Sequence, residues 1–190
     1  RWTVSVRTEA QPAAVTELRA KAERVITSNE PLPRISADPT HWQCKGCPAQ
    51  VVCHGTVLPA VNCRTCVHAT AETDGDGRWS CARWNKDLPL ETQRAGCEEH
   101  RYLPPLVRYA EAVDADPAAN WVEYRMPDGR TFRNGARADG GYTSEELRVL
   151  DPALIGDAFV EEIRQIFDAR AVEASPPVTE PSPLPPMHAR

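Results

Sequence analysis

Alternation and helical periodicity divide the chain into recognisable segments. Apolar and polar residues alternate over residues 2–7, which predicts a strand. A stripe of apolar residues at helical spacing follows Pro12, and Pro31 cannot continue a helix, so the helix is expected to end near residues 28–29. The stripe consists of Ala14, Val15, Leu18, Ala22, Val25 and Ile26. It predicts a helix whose role is packing.

A second group of elements is predicted beyond residue 105. Residues 106–113 are compatible with a short helix, and residues 121–125 and 131–133 flank a Pro-Asp-Gly turn that predicts a β-hairpin. The hairpin carries three aromatic residues, Trp121, Tyr124 and Phe132. We expect them to form a small core, with a stacking platform for nucleic-acid bases as the alternative.

The clearest amphipathic pattern lies near the end of the chain. Thr143 and Glu146 have the spacing of a capping box, and a helix is predicted from Pro152 to about residue 171. Its apolar face is either core or a docking surface for a protein partner. The candidate partner-binding residues are Ile155, Phe159, Ile163 and Phe167. From residue 174 onward the composition becomes proline-rich, which predicts a disordered tail.

Composition and charge argue against a membrane protein and against an autonomous nucleic-acid binder. Of 190 residues, 41% are hydrophobic and 26% charged, which is ordinary for a soluble protein. No apolar run approaches the roughly 20 residues of a membrane span, and the first residues are not of signal-peptide type, so we expect a cytoplasmic protein without a membrane partner. The net charge of −5 argues against an autonomous nucleic-acid binder, so any contact with DNA must be local or borrowed from a partner.

All seven cysteines lie between residues 44 and 97. Two Cys-x2-Cys pairs, at residues 44–47 and 63–66, each place two thiols on one tight turn, as a tetrahedral metal requires of neighbouring ligands. A reducing cytosol disfavours disulfides, and an odd number of cysteines does not pair completely. The clustering therefore predicts metal binding.

The later cysteines supply a complete ligand set for structural zinc: Cys63, Cys66, Cys81 and Cys97, with His100 as the alternate fourth ligand. A turn before residues 79–81 predicts a hairpin that delivers Cys81, and Gly96 allows the close backbone approach of a metal knuckle. His68 follows Cys66 too closely to be an easy ligand and is expected at the surface. Four thiolates leave no open position for a reactant, and the sequence contains no recognisable catalytic constellation, so the role is structural.

The earlier cysteines, Cys44, Cys47 and Cys53, provide only three ligands. If the metal is zinc, His41 or His54 supplies the fourth. If it is a [4Fe–4S] cluster, the fourth cysteine comes from sequence outside this chain.

These predictions combine into a small α+β fold with four parts. Residues 1–40 form a strand and a helix, and residues 41–108 form a double metal-binding module with an irregular, zinc-ribbon-like, metal-stapled centre. Residues 109–173 form a hairpin and an amphipathic helix, and residues 174–190 form the disordered tail.

The order of these features resembles a known family. The helix before Pro31, followed by Cys44-x2-Cys47-x5-Cys53-His54, resembles the carboxy-terminal end of phage and RecB-like exonucleases of the PD-(D/E)XK superfamily. The resemblance implies that residues 2–7 are a late strand of a nuclease core and that the cysteine triplet holds an iron–sulfur cluster. Cys63, Cys66, Cys81 and Cys97 resemble an accessory metal module of such phage proteins.

The resemblance implies a function without catalysis in this chain, because the Asp…Glu-x-Lys set of the nuclease is absent from the sequence. The chain would be a metal-binding tail that stabilises an exonuclease and guides DNA or partners, among them the nuclease domain or another DNA recombination protein, in the host cytoplasm if it is phage-encoded. The alternative is a stand-alone zinc-binding module for protein interaction. A sequence-specific DNA-binding finger is the third possibility, and the charge balance argues against it.

Overall fold

The computed structural model describes residues 9, 11–28, 32–73 and 76–172. The strand predicted for residues 2–7, the first residues of the turn before Cys81, and the tail predicted from residue 174 lie outside the described residues. Within the described part, the protein is a small mixed α/β fold with six α-helices and two antiparallel sheets of three strands each. None of these helices has the length and apolar character needed to cross a bilayer.

The helices are α1 (Pro12–Thr27), α2 (Trp42–Lys45), α3 (Gln50–His54), α4 (Leu90–Ala95), α5 (Ser144–Val149) and α6 (Ala158–Phe167). The strands are β1 (Ala69–Ala71), β2 (Trp79–Cys81), β3 (Lys86–Asp87), β4 (Glu111–Asp116), β5 (Trp121–Arg125) and β6 (Thr131–Asn134). Single 3-10 turns occur at Cys63–Thr65, Pro104–Leu106, Arg137–Asp139 and Pro152–Leu154.

Helix α1 has the predicted boundaries. It begins at Pro12, whose missing N–H is no loss in the first turn, and ends at Thr27. The prediction that α1 packs against the rest of the chain is wrong, because α1 has no buried residue. The apolar side chains of its stripe are mostly exposed, at 58–65% for Val15, Leu18, Val25 and Ile26.

The first sheet has the order β1-β2-β3 and carries Cys81 at the end of its central strand. Strands β1 and β2 are antiparallel, with Ala69 opposite Cys81 and Ala71 opposite Trp79. The hairpin predicted to deliver Cys81 is therefore confirmed.

The second sheet has the order β4-β5-β6. The predicted hairpin is confirmed as β5 and β6, and Gly129 in the connecting turn has a φ of +91°. The short helix predicted for residues 106–113 is wrong, because a 3-10 turn ends at Leu106 and β4 begins at Glu111. Pairing with β5 supplies hydrogen bonds along β4, and this tertiary contact outweighs local helix propensity.

The main core lies against the second sheet. Tyr124 and Phe132 stack with ring centroids 5.3 Å apart, which confirms them as core residues, whereas Trp121 is half-buried with the Arg133 guanidinium 4.2 Å from its ring. The buried members of this core are Leu58, Tyr102, Val107, Val122, Tyr124, Met126, Phe132, Tyr142, Leu147 and Ile155. They come from both sides of residue 108, so the cysteine-containing segment and the following segment share one core.

The end of the described chain differs from its prediction. The capping box of Thr143 and Glu146 is confirmed at the start of α5. Helix α6, however, begins at Ala158, because Gly156 has a φ of +68° and Asp157 caps the helix through the amides of residues 159 and 160. Ile155 precedes this helix and is fully buried in the core, so it is not available for a partner.

Candidate metal centre

Four thiols from separate parts of the chain line one small cavity, of about 70 Å³. They belong to the predicted zinc ligands Cys63, Cys66, Cys81 and Cys97. Three of these residues are buried, and Cys97 is exposed. The structure therefore brings together the four residues that sequence spacing groups as one ligand set.

Local structure explains how the first knuckle is held. Cys63 begins a 3-10 turn that Asn62 caps, since the Asn62 side chain accepts a hydrogen bond of 2.9 Å from the Arg64 amide. The Thr65 hydroxyl accepts in return from the Asn62 amide at 3.4 Å. This reciprocal cap fixes the turn on which the Cys-x2-Cys pair lies.

Gly96 allows the backbone before Cys97 to approach the backbone before Cys63. Its φ is +71°, and a Cβ at this position would lie 3.0 Å from the Val61 carbonyl oxygen and 3.1 Å from the Asn62 Cα. A side chain here would push the backbone before Cys97 away from the backbone before Cys63. The structure therefore has a close backbone approach at Gly96, and its role in a metal knuckle stays a prediction.

The thiols influence one another electrostatically. Burial raises the pKa of the Cys63 thiol, and the neighbouring Cys66, Cys97 and Cys81 raise it further. Burial also raises the pKa of Cys66, opposed by backbone hydrogen bonds from His68 and Arg101 that favour its thiolate. A cation among these thiols would favour their ionised forms, because it relieves both the repulsion and the desolvation.

The thiols share a cavity without forming a closed ligand shell. In the part of the chain that the structure describes, no three or more His, Cys, Asp or Glu side chains are grouped as a metal-holding site. Binding of a metal ion therefore requires the four thiols to turn towards a common point. The Cys63 thiol, for example, instead donates to the Thr92 carbonyl oxygen at 3.4 Å.

Charged side chains also line the cavity. Arg83 and Lys86 contribute positive charge, and Arg83 forms an ion pair of 2.9 Å with Glu99, which lines the cavity as well. Lys86 acts on Cys63 in the direction that favours the thiolate. Positive charge at this rim would partly compensate the net negative charge that four thiolates around a zinc ion would carry.

Two histidines near the cavity have positions that sequence spacing does not indicate. His100 lies outside the cavity lining, where its Nε2 is 3.0 Å from the Thr65 hydroxyl and its ring packs edge-on against Tyr102. Burial, reinforced by the Arg101 guanidinium, lowers its pKa to about 4. His68, expected at the surface, instead lines the cavity, and its Nε2 lies 2.6 Å from Asn120 Oδ1.

The first cysteine triplet spans two short consecutive helices and the turn between them. Cys44 lies in α2 and is buried, Cys47 is exposed, and Cys53 lies in α3 and is half-buried. His41, one alternate ligand, caps α2 with its Nδ1 3.4 Å from the Gln43 amide. His54, the other alternate, is the last residue of α3.

A buried polar cluster that sequence reasoning missed connects the cysteine region to the second sheet. Asn134 accepts a hydrogen bond of 2.8 Å from the Tyr102 amide and donates to the Ser144 hydroxyl at 3.1 Å. Ser144 in turn donates to the His100 carbonyl oxygen at 2.8 Å. Asn134 precedes a glycine at the end of a strand, so its sequence context is that of an ordinary turn residue.

Comparison of the chain with protein-family models, curated proteins and solved structures finds no match in any of the three.

Proposed function

We propose that the protein is a non-catalytic binding module in which Cys63, Cys66, Cys81 and Cys97 hold one structural zinc ion. The observation that carries this proposal is the presence of all four thiols in the lining of one small cavity. Four thiolates around zinc form a closed tetrahedron, which stabilises a fold and leaves no position for a substrate.

The surroundings of the thiols support zinc as the occupant. Thiolates are soft ligands, and burial makes ionisation of Cys63 and Cys66 unfavourable unless a cation is bound beside them. Zinc would join the 3-10 turn at residue 63, the end of β2 and the loop after α4. The ion would thus replace part of the apolar core that a three-stranded sheet of this size lacks.

The proposal is tested by zinc content. We expect one tightly bound zinc per chain at the site formed by Cys63, Cys66, Cys81 and Cys97. The zinc should be retained in Cys44→Ser and lost in Cys81→Ser. Both substitutions remove one buried thiol, so they are matched in chemistry and differ in the group of cysteines affected. Zinc retained in Cys81→Ser, or absent from the unmodified protein purified without chelator, would contradict the proposal.

A second candidate function is the non-catalytic tail of a phage-type PD-(D/E)XK exonuclease, with the first triplet holding an iron–sulfur cluster. It is favoured by the position of Cys47, which is exposed on the turn between α2 and α3, and by the half-buried Cys53. Thiols placed at the surface can share a cluster with a cysteine from another polypeptide segment. In this role the chain would stabilise the nuclease and guide DNA.

Anaerobic reconstitution tests this second candidate. Incubation with ferrous iron, sulfide and a small thiol, which can occupy the iron position that this chain leaves without a cysteine, should produce a brown protein. Cys47→Ser should abolish the colour, while Gln43→Leu, at an exposed position of α2, should leave the iron content unchanged. A colourless protein that binds a second zinc at the triplet would contradict the iron–sulfur assignment.

A further inference from the structure

Helix α6 presents an apolar face that is exposed in the part of the chain that the structure describes. Phe159, Ile166 and Phe167 are 67%, 64% and 73% exposed, and they lie on one side of the helix. The opposite side is fastened to the body, since Arg164 donates to the Gly141 carbonyl oxygen at 2.8 Å and its guanidinium lies 3.7 Å from the Tyr142 ring. The helix is therefore held with its apolar side outward.

Helix α1 presents a second face of the same kind. Its exposed stripe contains Val15, Leu18, Val25 and Ile26, all on one side of sixteen helical residues. The exposed apolar faces of α1 and α6 can pack against each other, because the side-chain rows of one amphipathic helix fit between those of another.

The charges beside the two faces are also complementary. Helical spacing places Arg19 and Lys21 on either side of the α1 stripe, and α1 carries one more basic than acidic residue. The exposed Glu162 lies beside the apolar face of α6, whereas Glu161 and Arg164 pair with each other towards the body. Like pairing of α1 with α1 would instead bring lysine and arginine side chains together.

We infer that two copies of the chain associate reciprocally, with α1 of each copy docked on α6 of the other. A two-fold arrangement uses the same pair of faces twice, so each copy covers both of its exposed apolar helix faces in one closed dimer. This inference rests on the proposed role as a binding module and names its partner as a second copy. It does not depend on the metal.

The first test is the mass of the full chain in solution. Sedimentation equilibrium at about 100 µM, where interfaces of modest area are populated, should give twice the 21.0 kDa of one chain, and dilution should shift the mass towards one chain. Leu18→Glu and Ile166→Glu should each weaken association at least about tenfold, because each places a charge in the apolar contact. Arg24→Gln, which makes the same change of one negative unit at the opposite side of α1, should leave the dimer intact.

Mixing the two disruptive variants distinguishes docking of α1 on α6 of a second copy from docking on α6 of the same chain. Leu18→Glu retains an intact α6 and Ile166→Glu retains an intact α1, so their mixture should form heterodimers with one good contact while each alone remains monomeric. A charge exchange gives a second criterion: Lys21→Glu and Glu162→Lys should each weaken the dimer, and the double variant should recover part of the loss.

A monomer at every concentration would overturn the inference, as would a dimer insensitive to both Leu18→Glu and Ile166→Glu. If α1 instead folds onto α6 of its own chain, mixing the two variants should give no heterodimer. That outcome would also overturn the proposed dimer. Zinc content measured on the same samples separates the two proposals. Loss of the dimer with full zinc content would contradict the dimer and support the zinc site. Loss of zinc with an intact dimer would contradict the zinc site and support the dimer.

Discussion

The side-chain oxygen of Asn134 accepts a hydrogen bond of 2.8 Å from the backbone amide of Tyr102, and both residues are completely buried. Tyr102 follows the cysteine segment and forms a bridge with Cys66, while Asn134 ends β6. This one contact joins the candidate metal centre to the second sheet. The two parts are therefore expected to unfold together.

Replacing Asn134 with leucine tests that coupling. The substitution leaves the Tyr102 amide buried without an acceptor, and we expect a loss of about 2–3 kcal/mol in the free energy of unfolding. Gln43→Leu, which replaces an exposed side-chain amide in α2, should change the free energy by less than about 0.5 kcal/mol. Chemical denaturation followed by tryptophan fluorescence measures both. Equal stability of the two variants would contradict the role of Asn134.

Gly96 should be intolerant of a side chain. Gly96→Ala combines the strain of a positive φ with a Cβ contact of 3.0 Å to the Val61 carbonyl oxygen, so we expect a loss of about 2–3 kcal/mol. Gly77 is the matched control, because it has a φ of +64° and open space around the Cβ position. Gly77→Ala should lose only about 1 kcal/mol. A smaller effect at Gly96 than at Gly77 would show that the close approach does not constrain the fold.

His100 should make the protein sensitive to mild acid. Its pKa falls from 6.5 to about 4 on folding, so the unfolded chain binds more protons between these values and stability is lost as pH falls through 6.5 towards 4. The contribution of His100 should decrease by about 2 kcal/mol between pH 7 and pH 5. The groups that act on its ring are the Arg101 guanidinium, His68 and the backbone at Asn62 and His100.

The comparison of His100→Gln with His54→Gln measures that contribution. Neither histidine belongs to the four-cysteine set, so acid should affect zinc binding by that set equally in both variants, and the difference between their stability profiles isolates His100. His100→Gln should lose less stability between pH 7 and pH 5 than His54→Gln, which removes a half-buried histidine at the end of α3. Identical profiles would refute the prediction.

Cys63→Ser should unfold the cysteine region. Structural zinc contributes on the order of 10 kcal/mol to folding in small modules, comparable with the whole stability of a domain. Hydrogen exchange should show loss of protection in β1, β2 and the 3-10 turn at residue 63, whereas Cys47→Ser, at an exposed thiol outside the set, should retain it. Unchanged protection in Cys63→Ser would mean that the sheet folds without the metal.

Local chemistry accounts for what could be predicted from the sequence. The turn at Gly129, the capping box of Thr143 and Glu146, and the hairpin before Cys81 each depend on residues within a short window. The cysteine set could be grouped because thiol chemistry is specific and the pair at residues 63 and 66 has ligand spacing. Signals of this kind do not require knowledge of the tertiary structure.

The errors arose where distant contacts decide the outcome. Strand β4 has acidic residues along its length and becomes a strand through pairing with β5. His68 bonds to Asn120, 52 residues away, and no local pattern indicates such a partner. Ile155 has helical spacing with Phe159 by coincidence, because the positive φ of Gly156 separates it from α6 and turns it into the core.

X-ray absorption at the zinc edge tests the central claim most directly. The Cys44→Ser variant should be used, so that the first triplet cannot dominate the signal. We predict a single shell of four sulfur atoms at about 2.3 Å, as expected for zinc bound by Cys63, Cys66, Cys81 and Cys97. A shell containing nitrogen or oxygen, or a protein without bound zinc, would contradict the account.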